Sequence, residues 1–269
     1  MALFRQRLPR IESLHDVEPK SFLVRVGLLL PIAIVSCATP ARAPSAHPRD
    51  FVVAVKTSGP LAYYRIEGPS GVGEVGATAY ASHDGAEGAT ACSPVGHSPK
   101  GCVELDGRTG WISTSAKAGV SAAGSLMAWV RLAGLPFAEG HFFYVAGESQ
   151  LGNDFDLQFE TDNSLDFYTQ EGSHLHYVPD AALLPHVWHM IVVTVDPQAR
   201  SRTMYWDGAR VTGDIDGRNA PKTATLSIGA SLVFPGRFFH GSIAEVALWD
   251  RALTADEVSA LYDAGRGPS

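Results

Sequence analysis

Residues 241–265 read "GSIAEVALWDRALTADEVSALYDAG", and two kinds of regular structure meet in this stretch. Between Ile243 and Asp250 the pattern alternates with a period of two, which indicates a β-strand. Between Thr254 and Ala264 the apolar residues recur at helical spacing. The stretch therefore predicts a strand that is followed closely by a short terminal helix.

The helix carries its own start and stop signals. Thr254 and Glu257 have the Thr-x-x-Glu spacing of a capping box. Val258 and Leu261 lie on one stripe, and Gly265 is expected to end the helix in the left-handed conformation. We expect this helix to pack as a lid on a sheet.

Glu245 stands in the middle of the predicted strand. It is either a working carboxylate, such as a metal ligand or a catalytic acid, or a polar residue on the outer face of a sheet. Simple alternation places Ala244, Val246 and Leu248 on the core side and Glu245 on the other side. We therefore expect Glu245 to face outward and to have only a local role.

The chain from residue 51 onward reads as many short strands. Segments rich in β-branched and aromatic residues recur between Gly, Pro, Asn and Asp, beginning with "FVVAVK" (51–56). "SLMAWVRL" (125–132) and "HMIVVTVD" (189–196) are largely apolar on both faces, as in central strands that are covered on both sides. Asp207-Gly208 signals a two-residue hairpin turn. The pattern predicts an antiparallel sandwich, in which the tryptophans are mainly packing residues: Trp129, Trp188, Trp206 and Trp249.

The composition argues against one class of partner. The chain has 269 residues and a formal net charge of −7, and hydrophobic residues make up 45% of it. That content supports a packed core. No basic cluster follows residue 49. Because a nucleic-acid-binding protein normally carries a basic patch, we expect no nucleic-acid partner.

The N-terminal segment has the features of an export signal. Lys20 and Arg25 precede an apolar run, residues 26–35, that is too short to span a bilayer but suits a secretory signal. The run ends in "IVSC" (34–37), which resembles a bacterial lipobox and implies cleavage before Cys37 and lipidation of its thiol. Ordinary signal cleavage near residues 41–43 is the alternative.

These features divide the chain into three parts. Residues 1–37 are predicted to be a signal peptide with a lipobox, residues 38–50 a flexible tether rich in Pro and Ala, and residues 51–269 the folded domain. The protein is expected to be exported and lipid-anchored at the bacterial cell envelope, on the outer membrane or the cell surface. Membrane contact is expected through the lipid anchor only.

Two further cysteines fit an oxidising compartment. "CSPVGHSPKGC" places Cys92 and Cys102 at the ends of a short loop rich in Pro and Gly, where we expect a disulfide. A zinc site is a poor alternative because only His97 lies between the two cysteines.

Taken together, the segments resemble a laminin-G-like domain of the concanavalin A-like lectin and glucanase superfamily. The resemblance covers residues from about 51 to 266 and lies in the order and spacing of "DFVVAVKTSGPLAYYRIEG", "GCVELDGRTGWISTS", "GSLMAWVRL", "VWHMIVVTVD", "RTMYWDGARVTG", "LSIGA" and "FFHGSIAEVALWDRALTADEVSALYDAG". It implies an all-β fold, a two-sheet antiparallel jelly-roll sandwich with a short C-terminal helix. It also implies a binding or adhesive module, whose ligands are often carbohydrate or extracellular matrix.

Many members of the family hold a structural calcium ion, and this chain departs from their ligand pattern. The family uses an Asp in a loop after the first strand and the Asp that opens "D-E-V". Here the first position falls at Gly76 or Tyr80, with Asp84 and Glu87 displaced, and the second is Ala244. Because calcium needs several oxygen ligands, we expect no cofactor, and calcium only if other residues supply them.

The same fold also serves glycoside hydrolases, which need a pair of acids beside the scissile bond. The Glu-x-Asp-x-x-Glu run of one large class is absent. "DFDLQFETD" (154–162) comes nearest, since Asp154, Asp156, Gln158 and Glu160 alternate onto one face. We interpret that face as the polar, half-solvated outer side of a strand. The chain is therefore not expected to be an enzyme.

The histidines are a further candidate for a metal site. His174 and His176 lie two residues apart and so point to the same side of a strand, while His186 and His189 flank Trp188. Since a zinc site needs three or four ligands, we expect no metal here.

Two functions remain. The first is a non-catalytic carbohydrate- or protein-binding (adhesion) module, with an extracellular glycan or an envelope or matrix protein as its partner. The alternative is a glycan-processing enzyme, glycoside hydrolase-like, with an unrecognised active site. A purely structural envelope protein is a third possibility. If a glycan site exists, we expect it in a group of loop residues that combines aromatic and hydrogen-bonding side chains: Asp154, Tyr168, His174, His176 and Tyr177.

Overall fold

A computed structural model of the chain describes residues 51–66, 73–75, 80–82, 89–92, 101–114, 123–147, 155–169, 173–179, 183–215 and 226–266. All of them lie in one structural unit, Ser45–Ser269. The predictions for residues 1–37, including lipidation of Cys37, and for residues 38–50 lie outside the described residues. None of the helices within the described ranges is long and apolar enough to cross a membrane.

The described strands form two antiparallel sheets, and this confirms the predicted two-sheet sandwich. The first sheet has nine described strands, in the spatial order β14 (Ala209–Asp214), β13 (Ser201–Trp206), β12 (Trp188–Asp196), β7 (Gly124–Leu132), β16 (His240–Trp249), β1 (Ala62–Tyr64) and β2 (Gly73–Val75), with β5 (Cys102–Asp106) beside β16 and β4 (Ala89–Cys92) beside β5. The second has seven, in the order β11 (Ser173–Tyr177), β10 (Leu165–Thr169), β9 (Asp156–Phe159), β8 (Phe143–Gly147), β15 (Ser227–Ile228), β6 (Ile112–Thr114) and β3 (Tyr80–Ser82).

The nine-stranded sheet is covered on both faces. In β7, Leu126, Ala128 and Val130 belong to the core between the sheets, whereas Met127 and Trp129 belong to a second apolar cluster on the outer side. The prediction that this strand is apolar on both faces is confirmed. The four tryptophans named from the sequence are all buried. The Asp207-Gly208 hairpin is confirmed as well, because both residues have positive φ and connect β13 directly to β14.

Two helices cover the outer face of this sheet: α1 (Phe51–Thr57) and α3 (Ala255–Gly265), while the short α2 (Pro136–Glu139) follows β7. The strand predicted at "FVVAVK" is wrong, because this segment is α1. Phe51 and Val55, four residues apart, share the helix face that packs into the outer cluster, and Val53 on the other side is 55% exposed. The ring of Phe51 meets Trp129 edge-on, with a centroid distance of 6.2 Å.

The capping box of α3 is confirmed. The Glu257 backbone N–H donates to the Thr254 hydroxyl, and the Glu257 carboxylate accepts from the Thr254 backbone N–H. The predicted left-handed stop at Gly265 is wrong, since the capping residue is Arg266 in a right-handed conformation. Gly265 has a packing reason instead. A Cβ at this position would lie 2.5 Å from the Trp129 ring, so only glycine lets α3 approach the sheet this closely.

Glu245 lies on the predicted side of the sheet, since its carboxylate accepts a hydrogen bond from Tyr63 of the outer cluster. The open outer surface expected around it is wrong, because this side of the sheet is covered. A β-bulge interrupts β16, so that two residues, Glu245 and Val246, lie opposite the single residue Ala128 of β7. Glu245 has a φ of 49° and is 3% exposed. The extra residue shifts the alternation, and Ala244 joins the outer cluster rather than the core with Val246. A bulge cannot be read from alternation, because alternation assumes that no residue is inserted.

Candidate ligand-binding face

The outer face of the seven-stranded sheet carries a continuous group of polar side chains. The inward residues of β9 and β10, such as Leu157 and Phe167, belong to the core between the sheets. The alternate positions therefore point away from that core. We call this group the polar face, and its members are Asp156, Gln158, Glu160, Asp166, Tyr168, His174 and His176.

Tyr168 joins two carboxylates of the polar face. Its hydroxyl lies 3.0 Å from Oε1 of Glu160, to which it donates, and 3.5 Å from Oδ2 of Asp166. Burial, together with the negative charges of Glu160 and Asp166, raises the pKa of the Tyr168 phenol above its ordinary value. The positive charge of Arg237 only partly offsets this rise. The hydroxyl is therefore a stable hydrogen-bond donor at neutral pH.

Gln158 connects the carboxylates to a positive charge. Its amide nitrogen donates to Glu160 over 2.6 Å, and its amide oxygen accepts from the Arg237 guanidinium over 3.0 Å. The guanidinium carbon of Arg237 lies 4.5 Å from the ring centre of Phe142 and 4.3 Å from that of Phe234. Arg237 and these two half-buried rings thus border the polar face with apolar surface.

The polar side chains of β9 are buried, which differs from the half-solvated strand predicted from the sequence. Gln158 is 1% exposed, and Asp156 accepts a hydrogen bond of 2.9 Å from the Tyr144 hydroxyl. Burying a carboxylate is unfavourable unless hydrogen bonds or charges compensate. The polar face is therefore a built network of hydrogen bonds and not an ordinary wet sheet surface.

Asp166 also meets two histidines from the neighbouring strand. Nδ1 of His176 lies 2.7 Å from Oδ1 of Asp166, and Nε2 of His174 lies 3.8 Å from Oδ2. The Asp166 side chain is 5% exposed, whereas those of His174 and His176 are 44% and 48% exposed. The His174 ring also contacts Tyr168 at a centroid distance of 5.2 Å. The Asp166 carboxylate is therefore buried beneath two solvent-accessible imidazoles.

The structure brings together three of the five residues named from the sequence. Tyr168, His174 and His176 lie together, but on β10 and β11 rather than in a loop. Tyr177 lies on the opposite face of β11, packed against the core with its ring 6.1 Å from that of Trp206. Asp154 lies outside the described residues.

Sequence reasoning missed the residues that hold these three in place. Asp166 shares a face of β10 with Tyr168, and this could have been found from the alternation in "LDFYT". The approach of Arg237 carried no signal, because it reaches the network from the distant segment between β15 and β16.

A cavity of about 830 Å³ lies away from the polar face and is lined in part by Asp106, Glu139, His141 and His240. Burial raises the pKa of the Asp106 carboxyl. Hydrogen bonds outweigh this effect and lower the pKa to about 2; they come from the backbone of Thr109, Gly110 and Arg108 and from the Thr109 hydroxyl. Its carboxylate is therefore occupied in closing the turn that follows β5. The polar face, with its network of hydrogen-bonded side chains, is therefore the stronger candidate for a ligand-binding site.

A family model described as the concanavalin A-like lectin/glucanases superfamily matches residues 106–259. No curated protein matches the chain in sequence.

Among solved structures, the chain is similar to domain 4 of AbnA, a GH43 extracellular arabinanase from Geobacillus stearothermophilus, in complex with arabinotriose. The TM-score is 0.60 at 15% identity, over 75% of this chain and 97% of that one. It is also similar to the botulinum neurotoxin serotype D ligand binding domain in complex with N-acetylneuraminic acid, with a TM-score of 0.57 at 10% identity over 78% of this chain. The chain spans about half, 52%, of that toxin domain. At these identities the likeness is one of fold.

Proposed function

The chain belongs to the concanavalin A-like lectin/glucanases superfamily, as its sequence resemblance predicted, and on that premise we propose that it is a non-catalytic binding module for neutral glycans. The observation that carries this proposal is the hydrogen-bond network of the polar face. It offers carboxylate acceptors at Glu160 and Asp166, the phenol oxygen of Tyr168, and aromatic surface at Phe142 and Phe234. A few fixed polar groups beside apolar surface are the usual composition of a small-molecule site.

Solved structures of the same fold support a sugar as the ligand class. The arabinanase domain was solved with arabinotriose and the toxin domain with N-acetylneuraminic acid. The charge of the polar face favours the first kind of ligand. It holds three carboxylates, Asp156, Glu160 and Asp166, against the positive charge of Arg237. An acidic sugar would be repelled, whereas the hydroxyls of a neutral sugar can donate to these carboxylates.

Display on the cell envelope is part of the same proposal. Cleavage before Cys37 and lipidation of its thiol would anchor the protein, and residues 38–50 would separate the domain from the membrane. Envelope or matrix proteins that carry glycans are then suitable partners.

A disulfide between Cys92 and Cys102 belongs to this picture of an exported protein. Cys92 on β4 is paired directly with Cys102 on β5 in the antiparallel ladder. Directly opposed residues have Cα atoms about 4.5 to 5.5 Å apart, a separation that a disulfide can bridge.

A glycan-processing enzyme is the second candidate, and one observation favours it. The Tyr168 hydroxyl reaches both Glu160 and Asp166, so these carboxylates lie no further apart than the acid pairs of glycoside hydrolases, which are separated by about 5 to 9.5 Å. Both carboxylates, however, are already engaged by Tyr168, Gln158 or His176. Binding without turnover therefore agrees better with the geometry.

A glycan array screened with the soluble chain that lacks residues 1–37 tests the proposal. We expect signals from neutral oligosaccharides and weaker or no signals from their sialylated counterparts. Any oligosaccharide that binds is then incubated with the protein, and its products are analysed by mass spectrometry. Cleavage would support the enzyme, whereas an array without any neutral-glycan signal would contradict the binding module.

A further inference from the structure

The polar face contains three metal-ligating side chains that converge on one point. Asp166, His174 and His176 each offer one ligand atom, and these three atoms lie within 4.8 Å of one another. The sequence provided only the two histidines, which are too few for a metal site. The pairing of β10 with β11 adds the third ligand.

The strand register fixes this arrangement. His176 is directly opposite Asp166, and His174 is directly opposite Tyr168, two residues further along the same face. Cross-strand neighbours on one face have their Cβ atoms about 4.5 to 5.5 Å apart, so the side chains meet without any loop having to order. The site is therefore held by a strand pairing without a register shift.

The electrostatic setting also suits a cation. Asp166 is nearly buried, and within the described ranges His174 and His176 lie closest to its carboxylate, at 3.8 Å and 2.7 Å. The carboxylate of Glu160 lies beside it, joined through Tyr168. A divalent ion would compensate this concentration of negative charge.

We propose that Asp166, His174 and His176 form a binding site for a divalent transition-metal ion of the Zn²⁺ class. Two imidazoles and one carboxylate are a donor set for such ions, and calcium, which needs six to eight oxygens, is disfavoured. Three protein ligands leave at least one coordination position free. Because both histidine side chains are about half exposed, that position faces solvent on the polar face.

The inference does not rest on glycan binding, since it follows from the three ligands alone. The test is titration calorimetry of the full chain with ZnCl₂, after dialysis against EDTA and in the absence of any sugar. The protein is prepared without a histidine tag. We expect one ion per chain at the high-affinity site, with little competition from excess calcium. Co²⁺ bound at the same site should give a visible absorption spectrum that Zn²⁺ abolishes.

Two variants and one control locate the ion. His174→Gln and His176→Gln should each weaken Zn²⁺ binding by about tenfold or more. Losing a residue that only hydrogen-bonds to a metal ligand already has an effect of that size, and these two are ligands themselves. His186→Asn is the matched control: His186 is exposed and lies outside the cluster, and Asn tolerates its φ of 67°. Circular dichroism confirms that each variant is folded. Absence of tight Zn²⁺ binding, or equal affinity in the control and both variants, would overturn the proposal.

Discussion

The hydroxyl of Tyr63 donates a hydrogen bond to the buried carboxylate of Glu245, a residue of the bulge in β16. Removing the hydroxyl weakens the solvation of a carboxylate that water cannot reach. Tyr63→Phe should therefore lower the free energy of unfolding by about 1–3 kcal/mol, measured by urea denaturation. Tyr262→Phe is the control, because the Tyr262 ring stacks on Trp129 and keeps that contact without its hydroxyl. Equal stability of the two variants would show that the Tyr63 hydrogen bond is unimportant.

Gly265 should not tolerate a side chain, although it lies within α3. An added Cβ would be 2.5 Å from the Trp129 ring and 3.1 Å from that of Phe51. Gly265→Ala should lower the free energy of unfolding by about 1–3 kcal/mol, even though alanine is the better helix former. Ala260→Ser, at an exposed position of the same helix, should change stability by less than about 0.5 kcal/mol. A more stable Gly265→Ala variant would contradict the close packing of α3.

The capping box of α3 should make stability depend on pH in the acid range. Hydrogen bonding to Arg251, which burial partly offsets, and hydrogen bonds from Thr254 lower the pKa of Glu257 from 4.5 to about 2. A carboxylate with a lowered pKa stabilises the fold above its unfolded value, and this stabilisation is lost as the pH falls from about 4.5 to 2. Glu257→Gln and Arg251→Met should both flatten this part of the profile, measured as urea midpoints between pH 7 and pH 2. If the urea midpoint of either variant falls with decreasing pH as steeply as that of the unaltered chain, Glu257 is not the source of the pH dependence.

The disulfide proposed between Cys92 and Cys102 should contribute to stability. By the chain-entropy estimate for a short loop, its reduction lowers the free energy of unfolding by about 2–3 kcal/mol. Non-reducing peptide mapping should recover the two cysteines in one linked fragment. The same fragment found only with free thiols, in protein exported by cells, would argue against the bridge. Cys92→Ser should remove the sensitivity of stability to reductant.

How much of the molecule the sequence reveals depends on which contacts decide each feature. Local rules were sufficient for the sandwich, the Asp207-Gly208 turn and the capping box, because neighbouring residues determine them. They failed at α1, where packing of Phe51 on Trp129 outweighs the strand preference of its valines. They failed at Ala244, because the residue inserted at the bulge of β16 moves it from the predicted core side to the outer cluster.

The candidate site was recovered only in part for a similar reason. Tyr168, His174 and His176 could be named from residue type and spacing. Alternation places Asp166 on the face of Tyr168, but its approach to the two histidines depends on the pairing of β10 with β11, which neither segment specifies by itself. Tyr177 lies next to His176 in sequence but on the opposite face of β11, because consecutive strand residues point to opposite faces.

Binding of a neutral glycan to the polar face is the central proposal. Calorimetric titration of variants tests it most directly. The ligand is the neutral oligosaccharide with the strongest array signal. Glu160→Gln and Tyr168→Phe remove an acceptor charge and a donor from the network. Tyr262→Phe removes a hydroxyl from α3, which packs on the other sheet. We predict that the first two weaken binding by about tenfold, as loss of a hydrogen bond to a charged group does, and that the third leaves it unchanged. Unchanged affinity in all three variants would contradict the claim.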